Sequence, residues 1–166
     1  MARFGLSRKA EYAVIALARL AQQRRSAGDD VADPDERLMS ARELSEAENL
    51  PLPVLSGLLK QLQRANLVVS RRGVHGGYHL PTDPERIRLA SVIRAVEDGE
   101  PVRLARCCGP EAHSDHAHEA KSGEATTAME TCRIACTCPI RHAIQNLDRQ
   151  LADFLESLTL AELMTD

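Results

Sequence analysis

Residues 49–80, NLPLPVLSGLLKQLQRANLVVSRRGVHGGYHL, constrain this chain more than any other stretch. Val54, Leu55, Leu58, Leu59 and Leu62 recur at helical spacing, which predicts one apolar stripe on a helix from about Pro53 to Ala65. Pro53 falls in the first turn, where a missing amide costs nothing. Ser56, Gly57, Lys60, Gln61 and Arg64 lie on the other face, which is small, polar and basic. β-branched residues follow, then a glycine-rich turn at Gly73, Gly76 and Gly77 and a return through Tyr78 and Leu80. That pattern is a β-hairpin, with Arg71 and Arg72 at its approach.

The residues upstream supply what such a helix and hairpin need in front of them. Ser7 to about Gln22 predicts a mostly buried helix, its apolar positions being Tyr12, Val14, Ile15, Leu17, Ala18 and Leu20. Residues 26–38 read as a solvated acidic loop. The tetrapeptide from Ser40 to Glu43 is a capping box that opens a short helix ending near Glu46 or Ala47. Helix, short helix, helix and basic hairpin, in that order, is the winged helix-turn-helix layout in a mainly α fold. In it the later helix of the pair enters the major groove and the wing follows the backbone or minor groove. Ser56, Lys60, Gln61 and Arg64 are then the candidate groove-facing residues, with Arg71 and Arg72 on phosphates or in the minor groove. His75 and His79 on the wing are expected to face DNA or solvent.

Downstream, residues 85–98 predict a further amphipathic helix, or a short strand leading into one, ended by Gly99 and Pro101. Periodicity then disappears until residue 131, through a loop longer than a compact domain usually carries without a purpose. Its His113, His116 and His118 are read as loop histidines rather than metal ligands. Ile140, Ile144, Leu147, Leu151, Phe154 and Leu158 then recur at alternating intervals of four and three, a heptad seam on a long C-terminal helix. A seam of that length in so short a chain calls for a second copy, so a homodimer is expected. Two recognition helices presented to a two-fold double-stranded DNA operator agree with that symmetry. The expected division is 1–98 for the winged helix-turn-helix domain, 99–138 for a cysteine-bearing loop, and 139–166 for the dimerisation helix and tail.

Composition supports this outline. Apolar residues make up 43% of the chain but aromatics only 2%, so the core must be built from Leu, Val, Ile and Ala. Residues 1–90 hold 14 Lys and Arg against 11 Asp and Glu, whereas 91–166 hold 7 against 13. The basic excess falls on the DNA-binding half. Charged residues interrupt the N-terminal stretch, and no apolar run reaches the roughly 20 residues a bilayer span needs. The expected address is therefore cytoplasmic, with no membrane partner. There thiols stay reduced, and clustered cysteines are metal ligands or redox sensors more often than disulfides.

Cys107 and Cys108 follow the fourth helix, and Cys132, Cys136 and Cys138 precede the last, with His142 one turn inside it. The residues alone leave several chemistries open: a zinc site using Cys132, Cys136, Cys138 and His142, an iron–sulfur cluster in a loose loop, or thiol–disulfide exchange. A thiol nucleophile would need a base in a pocket, for which no elements remain, so an enzyme is not expected.

From "LPLPVLSGLLKQLQRANLVVSRRGVHGGYHL" through "IRLASVIRAVEDGEPV" and the cysteines to "SLTLAEL", the chain resembles the Rrf family of winged-helix regulators, of the IscR, NsrR and SUF-operon type. The most specific part is the Arg-Gly-x-x-Gly-Gly-Tyr wing, Arg72 to Tyr78. The resemblance implies a dimeric transcriptional regulator, most simply a repressor. Cluster assembly or a redox or nitric oxide response would be under its control. It also implies a [2Fe–2S] or [4Fe–4S] cluster held by three cysteines and one other ligand, whose status sets DNA affinity. Carried over by position, the cysteine ligands are Cys132, Cys138 and Cys108, with Cys107 the alternative to Cys108; Cys136 has no counterpart. The fourth ligand is Glu11, donated by the opposite subunit in such proteins, with His142 the alternative. The family's glutamate at the Ser56 position is absent here, so the operator sequence does not carry over.

Overall fold

The protein is described from a computed structural model that covers residues 6–27, 38–73, 76–97 and 138–164. Helix α1 (Arg8–Ala27) runs five residues further than its apolar pattern suggests, so the predicted loop at 26–38 begins inside the helix. Its buried face includes the expected Leu17 and Leu20 but otherwise differs from the expected one. Ala10, Ala13, Ala16, Leu17, Leu20 and Ala21 are buried, Tyr12, Val14 and Ala18 are half-buried, and Ile15 faces solvent. Small alanines let α1 lie close to its neighbours, and it packs against α3, α4 and α6. Helix α2 (Ala41–Ala47) starts at the expected capping box. The Ser40 amide donates to Glu43 Oε2 at 2.7 Å and the Glu43 amide donates to Ser40 Oγ at 3.2 Å.

Helix α3 (Leu52–Arg64) begins after Pro51 and buries Leu55, Leu58, Leu59 and Leu62. Both helices of the pair end the same way. Asn49 and Asn66 take left-handed φ of 51° and 58°. Leu50 donates back to the Ser45 carbonyl at 3.0 Å and Leu67 to the Leu62 carbonyl at 2.9 Å. These are Schellman closures with asparagine where glycine is commonest, and they fix the turn from α2 into α3 and from α3 into the wing.

The wing is the antiparallel pair β1 (Val69–Arg71) and β2 (Gly77–His79), in register Val69 to His79, Ser70 to Tyr78 and Arg71 to Gly77. Met39 extends it as a third short edge. The Met39 amide donates to the Tyr78 carbonyl at 3.0 Å and the Tyr78 amide to the Met39 carbonyl at 2.8 Å. The residue ahead of α2 is thereby stitched to the returning strand. His79, expected on the surface, is half-buried because this pairing draws β2 inward.

A 3₁₀ turn (Pro84–Arg86) leads to α4 (Leu89–Val96), which buries Leu89, Val92, Ile93 and Val96. The segment 85–98 is thus a turn, a bridging residue and a helix. Arg88 pairs with Thr159: the Leu89 amide donates to the Leu158 carbonyl at 2.9 Å and the Leu160 amide to the Ile87 carbonyl at 2.8 Å. Short α6 (Leu160–Leu163) follows, opened by a second capping box at Thr159 and Glu162, with Leu160 in the core. Arg94 pairs with Glu156 at 2.5 Å, and the Arg88 guanidinium donates to the Ser157 carbonyl at 2.9 Å. Two compact units result, one of Met1–Pro101 with Phe154–Asp166 and the other of Val102–Asp153. The division read from the sequence keeps 139–166 together, whereas residues from Phe154 onward are grouped with the winged unit.

In the second unit the described part is the turn at Cys138 to Ile140 and α5 (Arg141–Ser157), whose C-terminal residues continue into the first unit. Leu155 is the only residue of α5 that is buried.

The two capping boxes make a pH-dependent contribution. Hydrogen bonds from the Ser40 backbone amide, and secondly the Ser40 hydroxyl, hold the Glu43 carboxyl below the usual carboxylate range. The Thr159 amide and hydroxyl do the same for Glu162. A carboxylate whose folded-state pKa is lowered adds stability that is present above the unfolded value of about 4.3 and is lost as pH falls through the folded value. Glu43→Gln with Glu162→Gln should therefore be less stable than wild type near neutrality and converge with it on acidification below about pH 4. Chemical denaturation at a series of pH values reads this directly; parallel curves would contradict it. Ser40→Ala should cost about 1 kcal/mol.

Candidate nucleic-acid interface

The stripe of leucines on α3 fixes which of its residues face outward. Lys60, Gln63 and Arg64 are exposed, and Ser56 and Gln61 are half-buried at the margin of the stripe. Val54 does not join the stripe: it is 43% exposed, and the core on that side of α3 is formed by Leu55 and Leu58. This corrects the expectation from spacing. Beside it, a helix-turn later, Gly57 is exposed and a Cβ built there would meet nothing within 4 Å.

The Met39–Tyr78 pairing turns the wing so that its root faces the C-terminal half of α3. Between them lies a groove of about 640 Å³, walled by Lys60 and Gln63 from α3 and by Arg71 and Arg72 from the wing. Ser40, Ala41, Ser70 and Tyr78 complete its sides, with Gly73, Gly76 and Gly77 along the turn. Among the described residues three cations line it and no carboxylate does. Hydroxyls and cations converging on one open trough suit a phosphodiester strand, because phosphate oxygens accept from all of them. Of the six candidate DNA-binding residues, Lys60, Arg71 and Arg72 come together in the groove. Ser56, Gln61 and Arg64 lie elsewhere on α3. Gln63, Ser40 and Tyr78 were not anticipated. The helical spacing from Lys60 places Gln63 beside it, and that signal was available; the pairing of Met39 with Tyr78, which brings in Ser40 and Tyr78, has no local signature.

Glycines shape the wing by close approach. A Cβ on Gly77 would lie 2.7 Å from the Met39 carbonyl carbon, and one on Gly76 would lie 2.4 Å from the Arg71 carbonyl oxygen. Gly73 has φ +131°, open to glycine and strained for other residues.

Of the candidate cluster ligands, Cys138, Glu11 and His142 are described. Cys138 is a free, half-exposed thiol whose carbonyl accepts from the Arg141 amide at 3.3 Å at the start of α5. Glu11 is exposed in the first turn of α1, and His142 is exposed in the first turn of α5. Cys107, Cys108, Cys132 and Cys136, with His75, His113, His116 and His118, lie outside the described residues. Among the described residues no group of three or more His, Cys, Asp or Glu side chains gathers to hold a metal. The donors that are described fit a ligand set in chemistry: a reachable soft thiol and an outward carboxylate that forms no ion pair among the described residues. Among the described residues no helix is long and apolar enough to cross a membrane.

Comparison with known proteins agrees with this architecture. Residues 6–166 match the Rrf2 family, described as "Iron-dependent Transcriptional regulator". The chain belongs to the Rrf2 family. An HTH-type transcriptional regulator IscR from Vibrio parahaemolyticus is 30% identical over 161 residues, 97% of this chain and 77% of that protein. Among solved structures, T. potens IscR superposes with a TM-score of 0.60 at 21% identity, covering 97% of this chain and 86% of that one. CymR, the global cysteine regulator of B. subtilis, superposes with a TM-score of 0.63 at 24% identity, covering 99% and 100%. This Rrf2-family chain is thus a transcriptional regulator with a winged-helix fold, in a family whose members bind DNA.

Proposed function

We propose that the chain acts as a homodimer that binds a double-stranded DNA operator through α3 and the wing, and that an iron–sulfur cluster sets its affinity. The observation that carries the DNA half is the convergence of Lys60, Arg71 and Arg72 on one groove that no carboxylate lines among the described residues. The dimer is supported by the predicted seam, where Ile140 in the turn ahead of α5 and Leu147 and Phe154 on α5 are 59%, 47% and 57% exposed. A surface helix that shows water so many large apolar side chains at heptad spacing is suited to a second copy of itself.

Cys108 (or Cys107), Cys132 and Cys138, with Glu11 of the partner subunit or else His142, would hold the cluster. Bound there, it supplies an iron- and redox-dependent crosslink between the cysteine segment and the dimer. Cys138 lies in the turn ahead of α5, and the chain leaving α5 is hydrogen-bonded through Leu158 and Leu160 to the residues just before and at the start of α4. Helix α4 in turn packs on α3. The family description as iron-dependent supports this sensing mode. The proposed control of cluster assembly or of a redox or nitric oxide response, and action as a repressor, rest on the same reading.

Arg72 is exposed on the wing, so Arg72→Ala should fold as wild type. Its affinity for duplex DNA should fall about equally on all sequences, and the slope of log affinity against log salt should drop by about one. An unchanged slope would remove the wing from the interface. Iron and sulfide analysis of anaerobically purified protein tests the sensing half; colourless protein carrying zinc, or thiols that pair reversibly, would replace it with zinc or disulfide sensing.

A further inference from the structure

In the first two turns of α3 the half-buried Ser56 is the one side chain that could read DNA by hydrogen bonding, and the exposed residues are apolar or glycine. Leu52 and Val54 are 39% and 43% exposed, Pro51 and Pro53 are exposed as well, and Gly57 follows. In a helix-turn-helix this N-terminal part of the recognition helix is what contacts base edges. Gly57 is itself unexplained by the fold. A mid-helix glycine costs up to about 1 kcal/mol relative to alanine, yet a Cβ at this position would touch nothing within 4 Å. Among the described residues no contact requires its absence. Glycine with open space before it is suited to close approach of another molecule to the helix backbone. The surroundings point to a polyanion: Lys60 and Arg64 follow Gly57 at helical spacing and are exposed, and Lys60 shares a groove with Arg71 and Arg72 of the wing. The major groove offers one apolar group amid phosphates, the thymine C5-methyl.

We propose that α3 reads its operator through thymine methyl groups, with Val54 in van der Waals contact and Gly57 allowing the helix to lie deep against the base edges. This rests on the DNA-binding reading and specifies how that surface discriminates sequence.

The test selects duplexes from a randomised pool with the full chain, then replaces each thymine of the enriched site by deoxyuridine, which keeps every hydrogen bond and removes only the methyl. At one or two positions per half-site, uracil should weaken wild-type binding about fourfold, the factor expected for one buried methyl. Val54→Ala should lose the same factor on thymine DNA and nothing further on uracil DNA. Gly57→Ala should melt no lower than wild type while binding at least tenfold more weakly. Enrichment of a site at which no uracil substitution matters, or full affinity in Gly57→Ala, overturns this inference alone. Failure of any duplex to be retained overturns the DNA-binding reading with it.

Discussion

Anaerobically purified Cys138→Ala is expected to be colourless and free of iron, while wild-type protein prepared alongside is coloured. The physical basis is that a thiolate is the ligand and alanine offers no donor, so one of three cysteine attachments disappears. Folding gives no competing explanation. Cys138 is half-exposed in a turn ahead of α5, and only its backbone carbonyl takes part in the turn, accepting from Arg141. The substitution should therefore change stability by no more than about 0.5 kcal/mol, and the far-ultraviolet spectrum should overlay that of wild type. Operator affinity of the variant should equal that of wild type after its iron is removed by a chelator. Iron content and visible absorbance retained at wild-type level would exclude Cys138 from the ligand set.

Gly77→Ala is expected to damage the wing more than any charge substitution on it. The added methyl would sit 2.7–2.9 Å from the backbone carbon, oxygen and nitrogen of Met39. Met39 cannot move aside freely, because its amide and carbonyl are the two groups bonded to Tyr78. Either the strand pairing opens or the segment ahead of α2 shifts, and overpacking against fixed backbone costs about 1–3 kcal/mol. Opening the pair would also carry Arg71, the register partner of Gly77, away from Lys60. The variant should melt several degrees lower and lose DNA affinity at least tenfold, with a salt slope reduced as in Arg72→Ala. A melting temperature and affinity both matching wild type would show that the Met39 edge does not hold the wing. The contrast with Gly57→Ala is instructive, because the same methyl fits the free protein there and is expected to interfere only with a bound partner.

The elements around the DNA-binding half were legible where the signal is local. Ser40 and Glu43 are three residues apart, and their reciprocal hydrogen bonds form in any chain that starts a helix there. The arginines and glycines of the hairpin lie within ten residues of one another and need only a tight turn. The candidate site was legible to the extent that Lys60, Arg71 and Arg72 were chosen from helix face and hairpin position. Periodicity was less informative where one face meets several neighbours. On α1 the larger apolar residues Tyr12, Val14 and Ile15 suggest the buried side, yet Ala10, Ala13, Ala16 and Ala21 occupy it with Leu17 and Leu20, where α1 meets α3, α4 and α6. Val54 satisfies the spacing of a core residue and is still 43% exposed, while Leu55, Leu58, Leu59 and Leu62 fill the buried side of α3.

Sequence by itself determined that this chain is a helical winged reader with a basic hairpin, because caps, periodicity and turn residues act over a few positions and do not depend on distant partners. Only the tertiary structure decided that Met39 edges the wing, that Thr159 bridges Arg88, and that Lys60 shares a groove with Arg71 and Arg72. Each of those joins residues far apart in the chain, and such pairings are selected by the packing of the whole core, a property no short window of residues contains.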